Sequence, residues 1–325
     1  MNHSRRSFLS FAAATTALPI FPPMAQMAHA QSYPSKPVRF LIGFPAGGPN
    51  DILGRIIAQW LSEKLGQPFN VENRGGRSGN IATEMAVRAP ADGHTILLCG
   101  PANAISGSLY PDLPFNFLRD MTPVAGITRE PLVMVVHPSV PARTVPEFLA
   151  YARANAGNIK MASTGNGSSP HVTGELFKQM TGLALEVVHY GGGGPALKAM
   201  IEGQAQMMFE PMSASIEPVR SGKLRALAVT TTGRSAALPE VATVADAVPG
   251  YEASAVTGIA VPNGTLVETL NKAVNAAHAD AGMKAKLADT GGAPLPGSSA
   301  DFARLMAAET EKWGKVVKAA GIKAD

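Results

Sequence analysis

Short apolar runs rich in β-branched and aromatic residues alternate with glycine-rich turns and amphipathic segments along most of the chain. Such short runs predict β-strands, and the helical spacing of apolar positions in the longer segments predicts helices. The predicted strands are 38–44, 69–72, 95–99, 159–163, 185–190, 205–209, 224–230 and 256–262. Strands that alternate with helices predict a mostly parallel sheet covered on both faces, and therefore an α/β fold.

Polar residues and prolines mark where several of these helices begin. Asn50 or Asp51 is the predicted N-cap of the first helix, because short polar side chains accept hydrogen bonds from free backbone N–H groups. Ser169 is the predicted N-cap of a later helix, with Pro170 in its first position. Two amphipathic helices are predicted near the C-terminus, at 267–287 and 300–320. We expect this last segment to complete the first half of the fold.

Glycine-rich loops lie directly before three of the predicted helices, at 45–51, 164–171 and 191–195. Such a loop leaves backbone N–H groups unpaired in front of the positive end of a helix dipole, and it can bind an anion without a basic side chain. One such loop is also how any α/β protein makes a turn. Three such loops occur in separate segments of the chain. If they converge in the fold, they are predicted to bind both charged ends of a small dianion.

Signatures of other chemistries are weak. The loop at 191–198 lacks the ending of a phosphate-binding P-loop, and 165–167 lacks the third glycine of the dinucleotide fingerprint. The histidines show no metal-ligand spacing, so we expect neither a metal nor a cofactor. A serine at 163, 168 or 169 with His171 could act as nucleophile and base, although a helix cap and a polar pocket wall is the favoured interpretation. Cys99, inside an apolar strand, is predicted to be a core residue.

Composition narrows the class of protein further. The chain has 325 residues, with 28 basic and 24 acidic side chains and one cysteine. A single core stops growing near this length, so two lobes are expected. One cysteine excludes an internal disulfide framework. The formal net charge of +4 is too small to indicate a nucleic-acid partner.

Residues 1–30 have the pattern of an export leader. Arg5 and Arg6 precede an apolar stretch, as in twin-arginine signals, and an A-x-A cleavage site ends at Ala30. Prolines interrupt the stretch, which argues against a membrane anchor. We therefore expect a periplasmic protein that is soluble after cleavage near Ala30.

Several motifs together resemble the Bug (TctC-like) family, the solute-binding receptors of tripartite tricarboxylate transporters. The motifs are Y-P-S-K-P at 33–37, F-P-A-G-G-P-N-D at 44–51, V-E-N-R at 71–74, G-N-G-S at 165–168 and G-K-L-R-A-L-A-V at 222–229. The resemblance implies a type II periplasmic-binding-protein fold, with two α/β lobes, a hinge and a central ligand cleft. It also implies that residues 31–133 and 252–325 form lobe 1 and that residues 134–251 form lobe 2.

The resemblance also implies where a ligand would bind. The 44–48 segment would contact one carboxylate of the ligand, and Asp51 would brace that loop or cap the helix. Tyr190 and Gly191 would close the far side of the cleft. The full set of implied ligand-binding residues is Phe44, Ala46, Gly47, Gly48, Asp51, Pro101, Asn103, Ser163, Thr164, Ser169, His171, Tyr190, Gly191 and Glu210.

Three positions depart from the family pattern. Ala46 replaces a frequent second proline, which implies a less rigid loop. Gly191 stands where many relatives have Lys or Arg, so a positive charge is missing. Glu210 stands where Asp or Asn is usual. We hypothesise that an exposed Glu210 would disfavour a second ligand carboxylate and favour an amino, amide or hydroxyl group, the alternative being a solvated or helix-capping glutamate.

These observations predict a non-enzymatic, monomeric receptor that captures a small organic carboxylate and presents it to the membrane permease subunits of a tripartite transporter. The first alternative is an exported serine hydrolase that uses the 163–171 loop. The second is an orphan receptor that feeds a signalling partner. Neither the identity of the carboxylate nor the existence of a permease follows from the sequence.

Overall fold

The computed structural model describes residues 33–265 and 267–324. The predicted export leader at 1–30 and its cleavage site lie outside these residues. Among the described helices, none combines the length and the apolar character that are needed to cross a bilayer.

The described residues form eleven strands and eleven α-helices that alternate along most of the chain. The strands are β1 (Val38–Ile42), β2 (Phe69–Asn73), β3 (Thr95–Cys99), β4 (Met121–Val136), β5 (Lys160–Ser163), β6 (Glu186–His189), β7 (Met207–Pro211), β8 (Arg225–Val229), β9 (Ala242–Thr243), β10 (Ser254–Pro262) and β11 (Ala293–Pro294). The helices are α1 (Pro49–Leu65), α2 (Asn80–Val87), α3 (Pro101–Leu109), α4 (Phe117–Asp120), α5 (Val145–Ala154), α6 (Ser169–Thr181), α7 (Gly193–Ile201), α8 (Met212–Arg220), α9 (Glu268–Ala279), α10 (Ala281–Asp289) and α11 (Ser299–Ala320).

The long strand β4 belongs to two sheets. Its residues 121–131 pair with β10, and the strand order of this first sheet is β2-β1-β3-β10-β4. Its residues 132–136 pair with β7 and β8, and the second sheet continues as β4-β7-β5-β6. The change of partner falls between Pro131 and Leu132. Because β10 lies between β3 and β4, the C-terminal part of the chain completes the first sheet.

The sheets are mixed, so the expectation of a mostly parallel sheet is only partly right. β1 runs parallel to β2 and β3, and β5 runs parallel to β6 and β7, as the alternation of strands and helices predicts. β4 and β10 run antiparallel to their neighbours. Both are buried along nearly their whole length, and a strand buried on both faces carries no sequence pattern that reveals its direction.

Three predicted helix boundaries are wrong by a few residues. α1 begins at Pro49 after Gly48, so neither Asn50 nor Asp51 is its N-cap. The N-cap of α6 is Ser168, which accepts a hydrogen bond from the backbone N–H of His171, and this places Ser169 inside the helix. The helix predicted at 267–287 is two helices, because Asp280 ends α9 and caps α10 by accepting from Met283 N–H.

One hydrophobic cluster contains buried residues of both sheets, of α11 and of the aromatic group near the second sheet. Trp313 of α11 is buried and donates from its indole nitrogen to Glu309 at 2.8 Å. Phe177 meets Phe209 and Tyr251 edge to face, and Phe209 stacks on Tyr251, with ring centroids 5.5–6.1 Å apart. The Tyr251 hydroxyl donates to Thr173 O. Cys99 is buried in β3, which confirms its prediction as a core residue. This packing fixes the strands whose carboxyl ends carry the loops described next.

Candidate functional site

The loop between β1 and α1 is held by one buried carboxylate. Asp51 is 3% exposed. Its Oδ2 accepts hydrogen bonds from Gly47 N at 2.8 Å and from Arg55 Nε at 2.9 Å. Its Oδ1 accepts from Asn73 Nδ2 at 3.0 Å, and the same amide nitrogen donates to Phe44 O. The structure thus shows Asp51 bracing the loop from inside rather than capping α1.

The ionisation of Asp51 follows from these contacts. The hydrogen bond from Arg55 is the main cause that lowers the pKa of Asp51 to about 2, with smaller contributions from Gly47 N–H and Asn73. Asp51 is therefore a carboxylate at neutral pH. Both of its oxygens accept hydrogen bonds from Gly47 of the loop, Arg55 of α1 and Asn73 of β2, so the carboxylate ties the loop to its two neighbouring elements.

A second loop, residues 74–79, lies directly against the first, and the sequence analysis did not include it in the site. A Cβ atom on Gly43 would stand 2.7 Å from Gly79 Cα, so Gly43 must be glycine, and Gly79 has a φ of 84°, which favours glycine there. Arg77 and Ser78 have positive φ angles, 46° and 53°, which side-chain-bearing residues rarely adopt. Backbone strain of this kind concentrates at functional sites. In the sequence, the glycines before α2 were the feature that could have pointed to this loop.

Two residues that the family resemblance assigns to the ligand site, Pro101 and Asn103, lie at the start of α3. Pro101 is half-buried in the first turn of the helix. Asn103 Oδ1 accepts from Gly100 N at 2.9 Å and its Nδ2 donates to Thr83 Oγ1 at 2.9 Å. Asn103 also lines a cavity of about 40 Å³ beneath α3. The side chain of Asn103 thus links α3 to α2 by a hydrogen bond. Its contact with a ligand stays a prediction.

The loop between β5 and α6 has the same kind of internal bracing. Ser163 Oγ interacts with Gly165, with Gly165 O at 3.2 Å and Gly165 N at 3.3 Å. His171 Nδ1 accepts from Gly167 N at 3.0 Å, which leaves the proton of a neutral ring on Nε2. Thr164 and Ser169 are half-buried at the two ends of this loop.

The serine and histidine pairing that a hydrolase would need is not the predicted one. Ser163 Oγ lies 2.7 Å from Nδ1 of His189, a residue that the sequence analysis did not include. The rings of His171 and His189 meet edge to face, with centroids 4.6 Å apart. Ser163 is fully buried, and its hydroxyl is already engaged with His189 and Gly165. The register of β5 with β6, in which Ser163 stands opposite His189, explains the pair.

The loop between β6 and α7 leads into a helix whose N-terminus has no side-chain cap. Tyr190 N donates to Ser163 O at 3.0 Å, which ties this loop to the β5 loop. Gly191 is exposed, and Gly192 has a φ of 128° directly before the first residue of α7, Gly193. Glu210, at the end of β7, is 2% exposed, so the interpretation of Glu210 as a solvated residue is wrong.

Contacts connect these loops in a continuous series that crosses from the first sheet to the second. Gly75 would carry a Cβ 3.7 Å from Pro45, and Ser78 Oγ lies 3.1 Å from the hydroxyl of Tyr110 at the end of α3. Leu109 of α3 packs so tightly on Gly167 that a Cβ there would collide with it. Loops from both halves of the chain therefore meet at the end of α3.

The cationic side chains beside these loops are already paired. Arg55 binds Asp51, Arg74 binds Glu72, and Arg77 binds Asp112 while stacking on Tyr110. The remaining positive potential comes from the N-termini of the helices, of which α1 and α7 have no side-chain cap. The arrangement favours a small anion held by backbone N–H groups. In the part of the chain that the structure describes, no cluster of three or more His, Cys, Asp or Glu side chains could hold a metal ion.

Comparison with known proteins agrees with this geometry. Residues 53–322 match the model of the tripartite tricarboxylate transporter family receptor, TctC. Protein BugT of Bordetella pertussis is 33% identical over 300 residues, which cover 90% of this chain and 92% of BugT.

Two solved structures are similar along most of the chain. The R. palustris protein Rpa4515 with adipate has 36% identity and a TM-score of 0.81, covering 89% of this chain and 99% of its own. MatC (Rpa3494) of Rhodopseudomonas palustris with bound malate has 30% identity and a TM-score of 0.77, covering 88% and 100%. The chain therefore belongs to the TctC family of periplasmic solute-binding receptors and has their two-lobed α/β fold.

Proposed function

We propose that this protein is a non-enzymatic extracytoplasmic receptor that captures a small organic carboxylate in the cleft formed by the glycine loops. The observation that carries the proposal is the series of contacts that runs from the 45–48 loop through residues 74–79 and the end of α3 to Gly167 of the second sheet. The helices α1 and α7, which follow two of the glycine loops, have no side-chain cap. Backbone N–H groups at such termini bind carboxylates by charge-assisted hydrogen bonds.

The named ligands of two relatives support a dicarboxylate. Rpa4515 was solved with adipate and MatC with malate. Both are short chains with a carboxylate at each end, which suits a cleft that has one anion-binding loop on each side. We propose the same ligand class here, with Phe44, Ala46, Gly47 and Gly48 on one side and Thr164, Ser169, Tyr190 and Gly191 on the other.

We further propose that residues 31–133 with 252–325 close on residues 134–251. The chain passes between the sheets at Pro131 and Leu132 in β4 and again before β10, where Ala253 N donates to Thr230 O. These two crossings would act as the hinge. A ligand that touches both sides only in the closed state shifts the population toward closure.

The partner that best fits this function is the membrane permease of a tripartite transporter, as the family description suggests. Transfer of the ligand to such a permease is part of the proposal. Copurification with a permease encoded nearby would support it, whereas copurification with a sensor kinase alone would favour a role in signalling.

The proposal is tested by a thermal-shift screen followed by calorimetry on mono-, di- and tricarboxylates, with adipate and malate as the first probes. A true ligand at a hundredfold excess over its Kd stabilises the folded protein by about 2.7 kcal/mol. No stabilisation by any carboxylate in the panel would contradict the proposal. Turnover of a nitrophenyl ester that disappears in Ser163→Ala would show the hydrolase instead.

A negative charge placed in the loop before α7 tests where the ligand binds, and the same charge placed at another exposed glycine is the matched control. Gly191 and Gly233 are both exposed, neither has a positive φ, and a Cβ on either meets no atom within 4 Å. We expect Gly191→Asp to weaken dicarboxylate binding at least tenfold, because the new carboxylate occupies the positive end of α7 and repels the ligand. Gly233→Asp adds the same charge in the segment between β8 and β9, which does not lead into an α-helix, and should bind as the unmodified protein does. Equal binding by both variants would place the ligand elsewhere.

A further inference from the structure

The carboxyl group of Glu210 lies beside the beginning of α7, and one of its oxygens has no hydrogen-bond partner among the described residues. Oε2 is buried and makes no hydrogen bond to any described residue. Oε1 lies 3.6 Å from the position that a Cβ on Gly193 would take. Gly193 is the first residue of α7, which has no side-chain cap. An unpartnered buried carboxyl group is costly, and it is retained here beside N–H groups that can hold a ligand anion.

A second carboxyl group stands close to Glu210 on the neighbouring strand. Glu130 of β4 accepts a hydrogen bond from Ser213 N at 2.9 Å, at the start of α8. Burial of Glu210, and in second place the negative charge of Glu130, raise the pKa of Glu210 to about 8. Burial also raises the pKa of Glu130. Two such groups cannot both ionise cheaply, so Glu210 carries a proton at neutral pH.

The other titratable groups on the elements that pack against β7 are not among the causes of the raised pKa of Glu210. Glu130 is the one charged group that acts on the pKa of Glu210. His171 and Glu175 of α6 are engaged with Gly167 N and with Lys178. The remaining titratable residues on the elements packed against β7 are Arg129 on β4, Lys160 on β5, Lys178 on α6, Lys198 on α7, and Glu217 and Arg220 on α8.

We propose that Glu210 is a specificity-determining residue whose neutral carboxyl group donates a hydrogen bond to a carboxylate oxygen of the ligand held at the N-terminus of α7. This inference rests on the proposed function, since it requires a carboxylate in the cleft. It reverses the sign of the sequence-based hypothesis. A neutral Glu210 does not repel a second carboxylate but supplies the donor that Gly191, in place of Lys or Arg, does not.

The pH dependence of binding tests the inference. The dissociation constant of the tightest dicarboxylate in the panel, with adipate as the first probe, is measured by calorimetry between pH 6 and pH 9.5. Binding that requires the protonated form of Glu210 is constant at low pH and weakens about tenfold per pH unit above the pKa. We expect the break near pH 8.

Two substitutions at the same position separate the donor from the proton. Glu210→Gln keeps a donor that does not titrate, so the Kd should no longer rise between pH 8 and pH 9.5. Glu210→Met has a similar volume without a donor, and at pH 6.5 it should bind at least tenfold more weakly than Glu210→Gln. Glu186→Gln makes the same chemical change at the exposed start of β6 and should keep the break near pH 8.

The possible outcomes distinguish the inference from the function on which it rests. If no carboxylate binds either the unmodified protein or Glu210→Gln, the proposed function is wrong and the inference with it. If a carboxylate binds but its Kd does not change with pH, or changes equally in Glu210→Gln, the inference alone is wrong. Preference for an amine ligand that Glu210→Gln weakens tenfold would show an ionised counter-ion and also overturn it.

Discussion

Two buried carboxyl groups, Asp51 and Glu210, differ in ionisation because their surroundings differ. Asp51 is surrounded by donors, from Gly47, Arg55 and Asn73, and its pKa is lowered to about 2. Burial, and in second place the negative charge of Glu130, raise the pKa of Glu210 to about 8, and no described residue donates to its buried Oε2. Burial alone therefore does not decide the charge of an acidic side chain, and the hydrogen bonds around it do.

Substitution of Asp51 tests its bracing role. Asp51→Asn removes the charge that accepts from Arg55 and Gly47, and we expect the free energy of unfolding at pH 7 to fall by about 1–3 kcal/mol. A lowered carboxyl pKa stabilises the fold above pH 4, and this stabilisation is lost as the pH falls toward 2. Urea unfolding at pH 7 and at pH 3 should show a smaller difference between variant and unmodified protein at pH 3.

The control for this prediction is an exposed carboxylate at the end of α10. Asp289→Asn makes the same chemical change away from the loop and should leave the unfolding free energy within about 0.5 kcal/mol of the unmodified protein. A difference for Asp51→Asn that is equal at both pH values would mean that the side chain acts through packing and not through charge.

At the level of elements, the sequence predicted most strands and the glycine loops that follow them. The apolar runs at β1, β3, β5 and β7 are bounded by glycine or proline, so their positions could be inferred. The longest strand, β4, was not predicted at all, and the direction of β10 could not be inferred, because a strand buried on both faces shows no alternation of apolar and polar residues. The burial of Glu210 and the pairing of Ser163 with His189 also could not, since both depend on strand register between distant segments.

The corrected start of α6 gives a prediction at this scale. Ser168, not Ser169, accepts from His171 N. We expect Ser168→Ala to lower the free energy of unfolding by about 1 kcal/mol, the usual cost of a lost N-cap. Ser169→Ala, one residue inside the helix, should cost less than about 0.5 kcal/mol. Denaturant titration of the two variants decides the matter, and a larger cost for Ser169→Ala would restore the sequence-based cap.

At the scale of the whole molecule, function depends on how the two sheets are joined. β4 runs through both sheets, and α11 packs against α3 and α6. Gln179 of α6 donates to Val316 O, and Leu109 of α3 contacts Gly167. These connections hold the glycine loops of the two sheets beside each other while leaving two backbone crossings as the proposed hinge. The cleft is therefore a property of the assembled chain and of neither sheet alone.

The most direct test of the central claim is an amide NMR titration of protein labelled with ¹⁵N at its 33 glycines. A carboxylate that binds backbone N–H groups on both sides of the cleft should shift the amide signals of Gly47 and Gly48 together with those of Gly191 and Gly193, at one common Kd. Glycines at the amino ends of strands, such as Gly157 before β5 and Gly222 before β8, should not shift. Shifts confined to one of the two loops, or centred on glycines outside both, would contradict a ligand held between them.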